Sequence, residues 1–323
     1  MDLLTCVIIN GPFATLNIMA NLFFVSCMLH PPHGARIKQP LKLLLGSIII
    51  CSITNQVSAM LLFLTHTTFE NLHFVLASCV VYAWSLSTSL ASVVWLNFFY
   101  CIQIVRVQTA FFIWIKKHIK HTIYCIWLVE RIFSILDVGV ILFDFLNLNG
   151  LLHSGFSNFT VHPDSKYTFI QIPYFEFQFD LFKIAVYIVQ GHFFLCACVM
   201  IISISSTFIY LGAHIRHMLA NGQSLSCPHF RSQVIVAITG ILQGFLFICS
   251  SLWTVYHALA KDISEQLINP FINFTVINFY MTGSTIALAA GQTVFRRRFA
   301  DVWLRASQIC QAHKVQTRPT LRR

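Results

Sequence analysis

The chain has 323 residues, 57% of them hydrophobic and only 10% charged, with a mean hydropathy of +0.72. Soluble domains carry about 25% charged residues, so this composition excludes a water-soluble enzyme and reads as an integral membrane protein. The net charge of +10 lies between apolar stretches and near the C-terminus, the pattern of a topology signal rather than of a nucleic-acid-binding patch.

The chain opens MDLLTCVIIN, with neither a basic region nor a small-residue cleavage site. It predicts no removable signal peptide, the first span serving as a signal anchor. Seven stretches reach the roughly 20 apolar residues that a bilayer crossing takes: about 4–29, 41–65, 74–104, 123–145, 179–211, 234–259 and 268–294. The third and fifth exceed that length and predict tilt or extension beyond the membrane. No repeat or Pro/Gly linker divides the chain, so residues 1–323 read as one all-α, seven-helix domain.

Orientation follows from the basic residues. With the N-terminus outside, seventeen of the 21 Lys and Arg fall on the inner side, three (Lys166, Lys183, Lys261) on the outer, and Arg131 within a span. This predicts N-out, C-in, which requires an odd number of spans. The outer loop at 147–178 carries the sequon Asn158-Phe159-Thr160, a predicted glycosylation site. A second sequon, Asn273-Phe274-Thr275, falls in the seventh span and is expected to stay unmodified.

The fourth span contains Glu130, Asp137 and Asp144, seven residues apart and so on one helix face. Arg131 stands beside the first. Charges at membrane depth usually face the bundle interior. An ion or proton path is one reading, but no inverted repeat or second broken helix accompanies it. The other reading pairs Glu130 with Arg131 or a neighbouring helix and leaves Asp144 at the interface.

The eleven Cys lie mostly in apolar segments with no metal-ligand spacing and read as small buried residues. His192 and His257 read as packed polar residues. Beyond the seventh span, Phe295, Phe299, Val302 and Trp303 share a helical face, with Arg296, Arg297, Arg298 and Arg305 largely on the other. This predicts an amphipathic helix over 295–309 lying on the inner leaflet among anionic lipids, then a basic, disordered tail over 310–323. No phosphate loop, nucleophile elbow or metalloprotease motif occurs, so no catalytic residue, metal or cofactor is assigned.

The third span ends WLNFFYCIQIVR and lacks the acid–arginine pair of rhodopsin-like receptors. The sixth has no Cys-Trp-x-Pro turn, the seventh has no inner Asn-Pro-x-x-Tyr, and the outer loop offers no Cys to Cys79. The stretch 210–238 resembles the short third inner loop of the taste receptor type 2 family, the bitter taste receptors, at Leu211, His214, Met218, Asn221, Pro228, Arg231 and Ala237. Leu96, Phe99, Tyr100 and Ile104 are similar to the family's third-helix end, and Trp114-Ile115-Lys116 with Ile119-Lys120 to its second inner loop. Asn21, Ser47 and Asn158 match as well. Departures are Ile48 in place of a second-helix Arg, Gln103 and Ala213 in place of lysines, and Ser284-Thr285-Ile286-Ala287-Leu288 in place of the seventh-helix signature.

The resemblance implies a plasma-membrane receptor that takes small bitter compounds from outside and signals through a gustducin-like heterotrimeric G protein, with receptor oligomers among the partners it allows. By position the ligand wall would comprise Tyr82, Ala83, Trp84, Leu86, Ser87, Phe245 and Phe274. These side chains suit uncharged, apolar ligands, since no acid stands at those third- and seventh-helix positions. The inner switch and G-protein contact would involve Tyr100, Gln103, Arg106, Lys116, Lys117, His214 and Arg216. A vomeronasal type 1-like receptor for pheromones or odorants is the alternative of the same architecture. A transporter built on Glu130, Asp137 and Asp144 is the alternative of another class.

Overall fold

The computed structural model describes residues 3–30, 39–68, 72–105, 110–148, 171–221, 228–263 and 270–316. Every regular element among the described residues is a helix: α1 Leu3–Leu29, α2 Leu41–Thr68, α3 Leu72–Ile104, α4 Ala110–Lys117, α5 Ile119–Leu148, α6 Gln171–Ala220, α7 Pro228–Ile263, α8 Pro270–Gly291 and α9 Thr293–Gln316. An apolar chain in lipid has no water to satisfy its backbone, and a helix closes those hydrogen bonds within itself. Pro228 and Pro270 open α7 and α8, where the missing N–H costs no intrahelical bond.

Among the described residues six helices are long and apolar enough to cross a membrane: α1, α2, α3, α6, α7 and α8. Helix α5 has 30 residues, about 45 Å at 1.5 Å per residue, but Glu130, Arg131 and Asp137 interrupt its apolar run. Helices α1, α2, α3, α5, α6, α7 and α8 close a ring in which each packs on the next, with α8 returning to α1. Helix α3 also touches α4, α6 and α7 and is the hub of the bundle.

The packing is inside-out relative to a soluble domain. Large apolar side chains such as Leu128, Phe194, Phe208 and Phe279 point outward, while Asn10, Asn17, Asn21, Gln56, Gln243 and Asn278 are buried. Hydrocarbon outside the bundle is as apolar as a leucine, so burial of apolar area does not drive helix association; packing and interhelical hydrogen bonds do. Asn278 donates to Asn10 Oδ1 (2.9 Å) and accepts from Gln56 Nε2 (2.8 Å), linking α8, α1 and α2. Near the other end of the same three helices, Asn21 Nδ2 reaches Ser52 Oγ and Thr285 Oγ1 at 3.2 and 3.3 Å. An apolar cluster including Phe24, Leu45, Val94, Phe99, Met200, Phe247 and Phe295 fills the middle.

Several sequence boundaries shift. Helix α6 runs to Ala220 rather than 211, α7 begins at 228 rather than 234, and α9 continues to Gln316 rather than stopping at 309. The loop after α3 contains a helix of its own, α4. Cys51, Cys101 and Cys196 are buried as expected, but Cys125 and Cys249 are exposed. On an outward face of a membrane helix a small apolar thiol meets lipid, so exposure there carries no penalty.

Candidate functional site

The third-helix residues assigned to a ligand wall divide between two surroundings. Tyr82 and Leu86 pack against the central apolar cluster, and Ala83 is buried. The Tyr82 carbonyl accepts from Ser85 Oγ at 2.9 Å and from Asn55 Nδ2 at 3.3 Å, which fixes α3 on α2. Ser87 faces the Asp137 carboxylate of α5. An acid therefore borders this set, supplied by α5 rather than by α3 or α8. Trp84 and Phe245 point away from the bundle, 41% and 62% exposed, while Phe274 is half-buried. The seven residues thus belong to more than one environment.

At the end of the bundle that carries α9, the positions chosen for a switch converge more closely. Asn97, Tyr100, Ser203, Thr207, Ala237 and Gly240 line a narrow cleft between α3, α6 and α7. Gln292, between α8 and α9, donates its amide to the Tyr100 hydroxyl. Leu211, Met218 and Ala237 pack together with Ile104, Ile215 and Val234 against them, so residues separated in sequence by the α6–α7 connection form one contact. Glycine at 240 permits close approach: a Cβ there would lie 2.7 Å from Asn97 Oδ1 and would make that side chain shift. At 244 a Cβ would lie 1.8 Å from Ile204 Cδ1. The Gly-x-x-x-Gly face of α7 lets α3 and α6 come near.

Around this end Gln103, His214 and Arg216 are exposed. His214 stacks on Tyr210 with ring centroids 6.2 Å apart, and Arg216 Nε donates to the Gly212 carbonyl at 3.3 Å. Lys116 and Lys117 close α4, where cations favour the negative end of the helix dipole. Arg106 and Asn158 lie outside the described residues. Asn273, of the second sequon, accepts from Trp253 Nε1 at 3.0 Å.

The polar face of α5 is engaged by its neighbours. Glu130 Oε1 accepts from Trp95 Nε1 of α3 at 2.7 Å, and His192 Nε2 of α6 lies 3.1 Å from Oε2. Arg131 Nη1 donates to Thr88 Oγ1 at 2.7 Å, and its guanidinium stands 5.2 Å from the Trp127 ring centre. Trp127 in turn donates to Ser47 of α2 at 3.0 Å. Glu130 thus pairs with neighbouring helices, one of the two pairings the sequence allowed. Sequence reading missed Trp95 and His192 as partners of Glu130 and Thr88 as the partner of Arg131, because residues on separate helices show no common spacing.

A ring of long apolar helices that buries polar side chains beside an apolar core, with α3 at its hub, is the construction of a multi-pass helical membrane protein. Within that class, a profile of the Taste receptor protein (TAS2R) family matches residues 4–306, and the chain belongs to this taste receptor family. A comparison with curated proteins finds no match.

Proposed function

We propose that this taste receptor crosses the plasma membrane seven times with its N-terminus outside, binds small, mostly apolar bitter compounds from the extracellular side, and activates a heterotrimeric G protein of the gustducin type. The observation that carries the reading is family membership across nearly the whole chain. Helix α5 serves as the fourth span, its charges being compensated by Trp95, His192 and Thr88 rather than left to lipid. The asymmetry of Lys and Arg supports the orientation.

Agonist binding shifts a closed–open equilibrium of the bundle. The cleft beside Tyr100 and Gly240 is the place where opening admits the G protein, with Lys116, Lys117 and Arg216 steering an acidic partner. Ser87 and Phe274 offer the agonist a hydroxyl and an aromatic face.

The test is a chemically diverse bitter library applied to cells that express the receptor with a promiscuous G protein, read as calcium release. At least one neutral agonist should give a saturable response that is absent from mock-transfected cells. A receptor that reaches the cell surface yet answers no compound, and drives no ligand-dependent nucleotide exchange, would sink the reading.

A further inference from the structure

We propose that Glu130, His192 and Cys196 form a binding site for a divalent transition-metal ion of the zinc type between α5 and α6. This goes beyond the receptor reading and does not depend on it.

The three donor atoms already converge. Glu130, His192 and Cys196 offer a carboxylate oxygen, an imidazole nitrogen and a sulfur within 4.8 Å of one another. His192 Nε2 lies 3.1 Å from Glu130 Oε2 and 3.5 Å from Cys196 Sγ. Tetrahedral zinc holds such atoms roughly 3.3 to 3.6 Å apart, given bonds of about 2.0 to 2.3 Å. The His192–Cys196 spacing falls in that range, the His192–Glu130 spacing of 3.1 Å lies just below it, and the Glu130–Cys196 spacing is within 4.8 Å, so small side-chain shifts bring the three around a common centre. His192 and Cys196 are four residues apart on α6 and share a face, while Glu130 comes from α5, so an ion here would bridge two helices.

The surroundings hold the donors in place. Trp95 Nε1 and His192 Nε2 both hydrogen-bond Oε1 of Glu130, at 2.7 and 3.2 Å, and leave Oε2, buried and 3.1 Å from the same imidazole nitrogen, for coordination. Phe133 stacks on the His192 ring with centroids 4.0 Å apart and planes at 7°, which fixes the direction of Nε2. Partners of this kind orient metal ligands and raise affinity. Arg131, the adjacent cation, is turned to Thr88 and Trp127, and Asp137 faces Ser87 and, on its other side, His192.

The charges also suit. A carboxylate and a thiolate bring two negative charges to a divalent ion, which a neutral imidazole completes, and a thiolate–imidazole set selects zinc over magnesium or calcium. On binding, the Cys196 S–H loses its proton to solvent and the sulfur pair enters the coordination shell. The His192 ring proton moves from Nε2 to Nδ1, so that Nε2 gives up its hydrogen bond to Glu130 Oε1 and presents a lone pair to the ion. A fourth position stays open, as in zinc sites with three protein ligands.

The experiment uses the full chain in lipid nanodiscs, stripped of metal with a chelator, then titrated with Zn²⁺ and separately with Co²⁺. The expected result is one saturable Zn²⁺ per chain and a sulfur-to-cobalt charge-transfer absorption. Replacing a ligand, by His192→Ala or Cys196→Ser, should lower affinity at least as much as the roughly 10- to 100-fold expected for Trp95→Phe, with Cys198→Ser unchanged. Should Cys196→Ser fail to fold, Cys196→His should keep the ion and lose the charge-transfer band. Absence of saturable binding to folded wild-type protein, a cobalt spectrum without the thiolate band, or equal affinity in His192→Ala would overturn the proposal.

Discussion

The Gln292 side-chain amide donates to the Tyr100 hydroxyl, tying the end of α3 to the junction of α8 and α9. Where an acid–arginine pair is missing, this bond engages Tyr100, which also lines the cleft between α3, α6 and α7. A neutral hydrogen bond contributes about 1 kcal/mol, a roughly five-fold shift in a two-state equilibrium. Tyr100→Phe and Gln292→Leu should each raise agonist-free nucleotide exchange by up to about that factor, with agonist affinity nearly unchanged. The double variant should add nothing, and Tyr100→Ala should change basal signalling in the same direction. Unchanged basal exchange in both well-expressed single variants would argue against a switch at this place.

Trp95 and Glu130 supply a second test. Trp95→Phe keeps an aromatic ring on α3 and removes the donor to a buried carboxylate. Hydrogen bonds to charged groups contribute about 1.5 to 3 kcal/mol. The variant should melt at a lower temperature in detergent, and Glu130→Gln, which lowers the demand for that donor, should recover part of the loss. A melting temperature equal to wild type would show that the carboxylate finds another partner.

The contact of α7 with α6 depends on Gly244. Its substitution by Ala places a Cβ against Ile204 Cδ1, and overpacking of this kind costs about 1 to 3 kcal/mol. Gly244→Ala should lower stability, and adding Ile204→Val, which deletes that terminal methyl, should restore most of it. Additive losses in the double-mutant cycle would mean that the two residues do not meet.

Asn278 draws three helices together through Asn10 and Gln56. Interhelical hydrogen bonds in membrane proteins average about 0.6 kcal/mol. Asn278→Leu, which forfeits three of them, should destabilise the receptor by about 2 kcal/mol in reversible unfolding from mixed micelles. Ile286→Ala, at an outward-facing position of the same helix, should cost much less.

Much of the helical fold was legible because hydropathy is a local property. Six spans announce themselves by length and apolarity alone, and the α3 end at Ile104 was read to the residue. Helix α4 was not, since the eight residues of Ala110–Lys117 are too few to stand out beside its long neighbours. The α6 and α7 ends were drawn short because the helices continue into polar sequence around His214 and His229, past the point where hydropathy falls. At the site, Leu211, Met218 and Ala237 were found by resemblance, and they do pack together. The outward direction of Phe245 and Trp84 was hidden, because an aromatic side chain in a membrane helix reads alike whether it meets lipid or core. The Glu130 cluster was hidden for a different reason: His192 and Cys196 show their common face only once α6 is drawn, and their carboxylate comes from another helix.

Helix α6 runs unbroken for 50 residues, about 75 Å at 1.5 Å per residue, more than twice the hydrocarbon thickness of a bilayer. Such a rod is a lever. Pivoting by about 5° near the buried Met200, it would carry its Gln171 end through roughly 4 Å and its Ala220 end through roughly 2.5 Å in the opposite sense, by its length alone. A small rotation at mid-depth is thereby converted into displacements on both sides of the membrane, with no helix needing to bend.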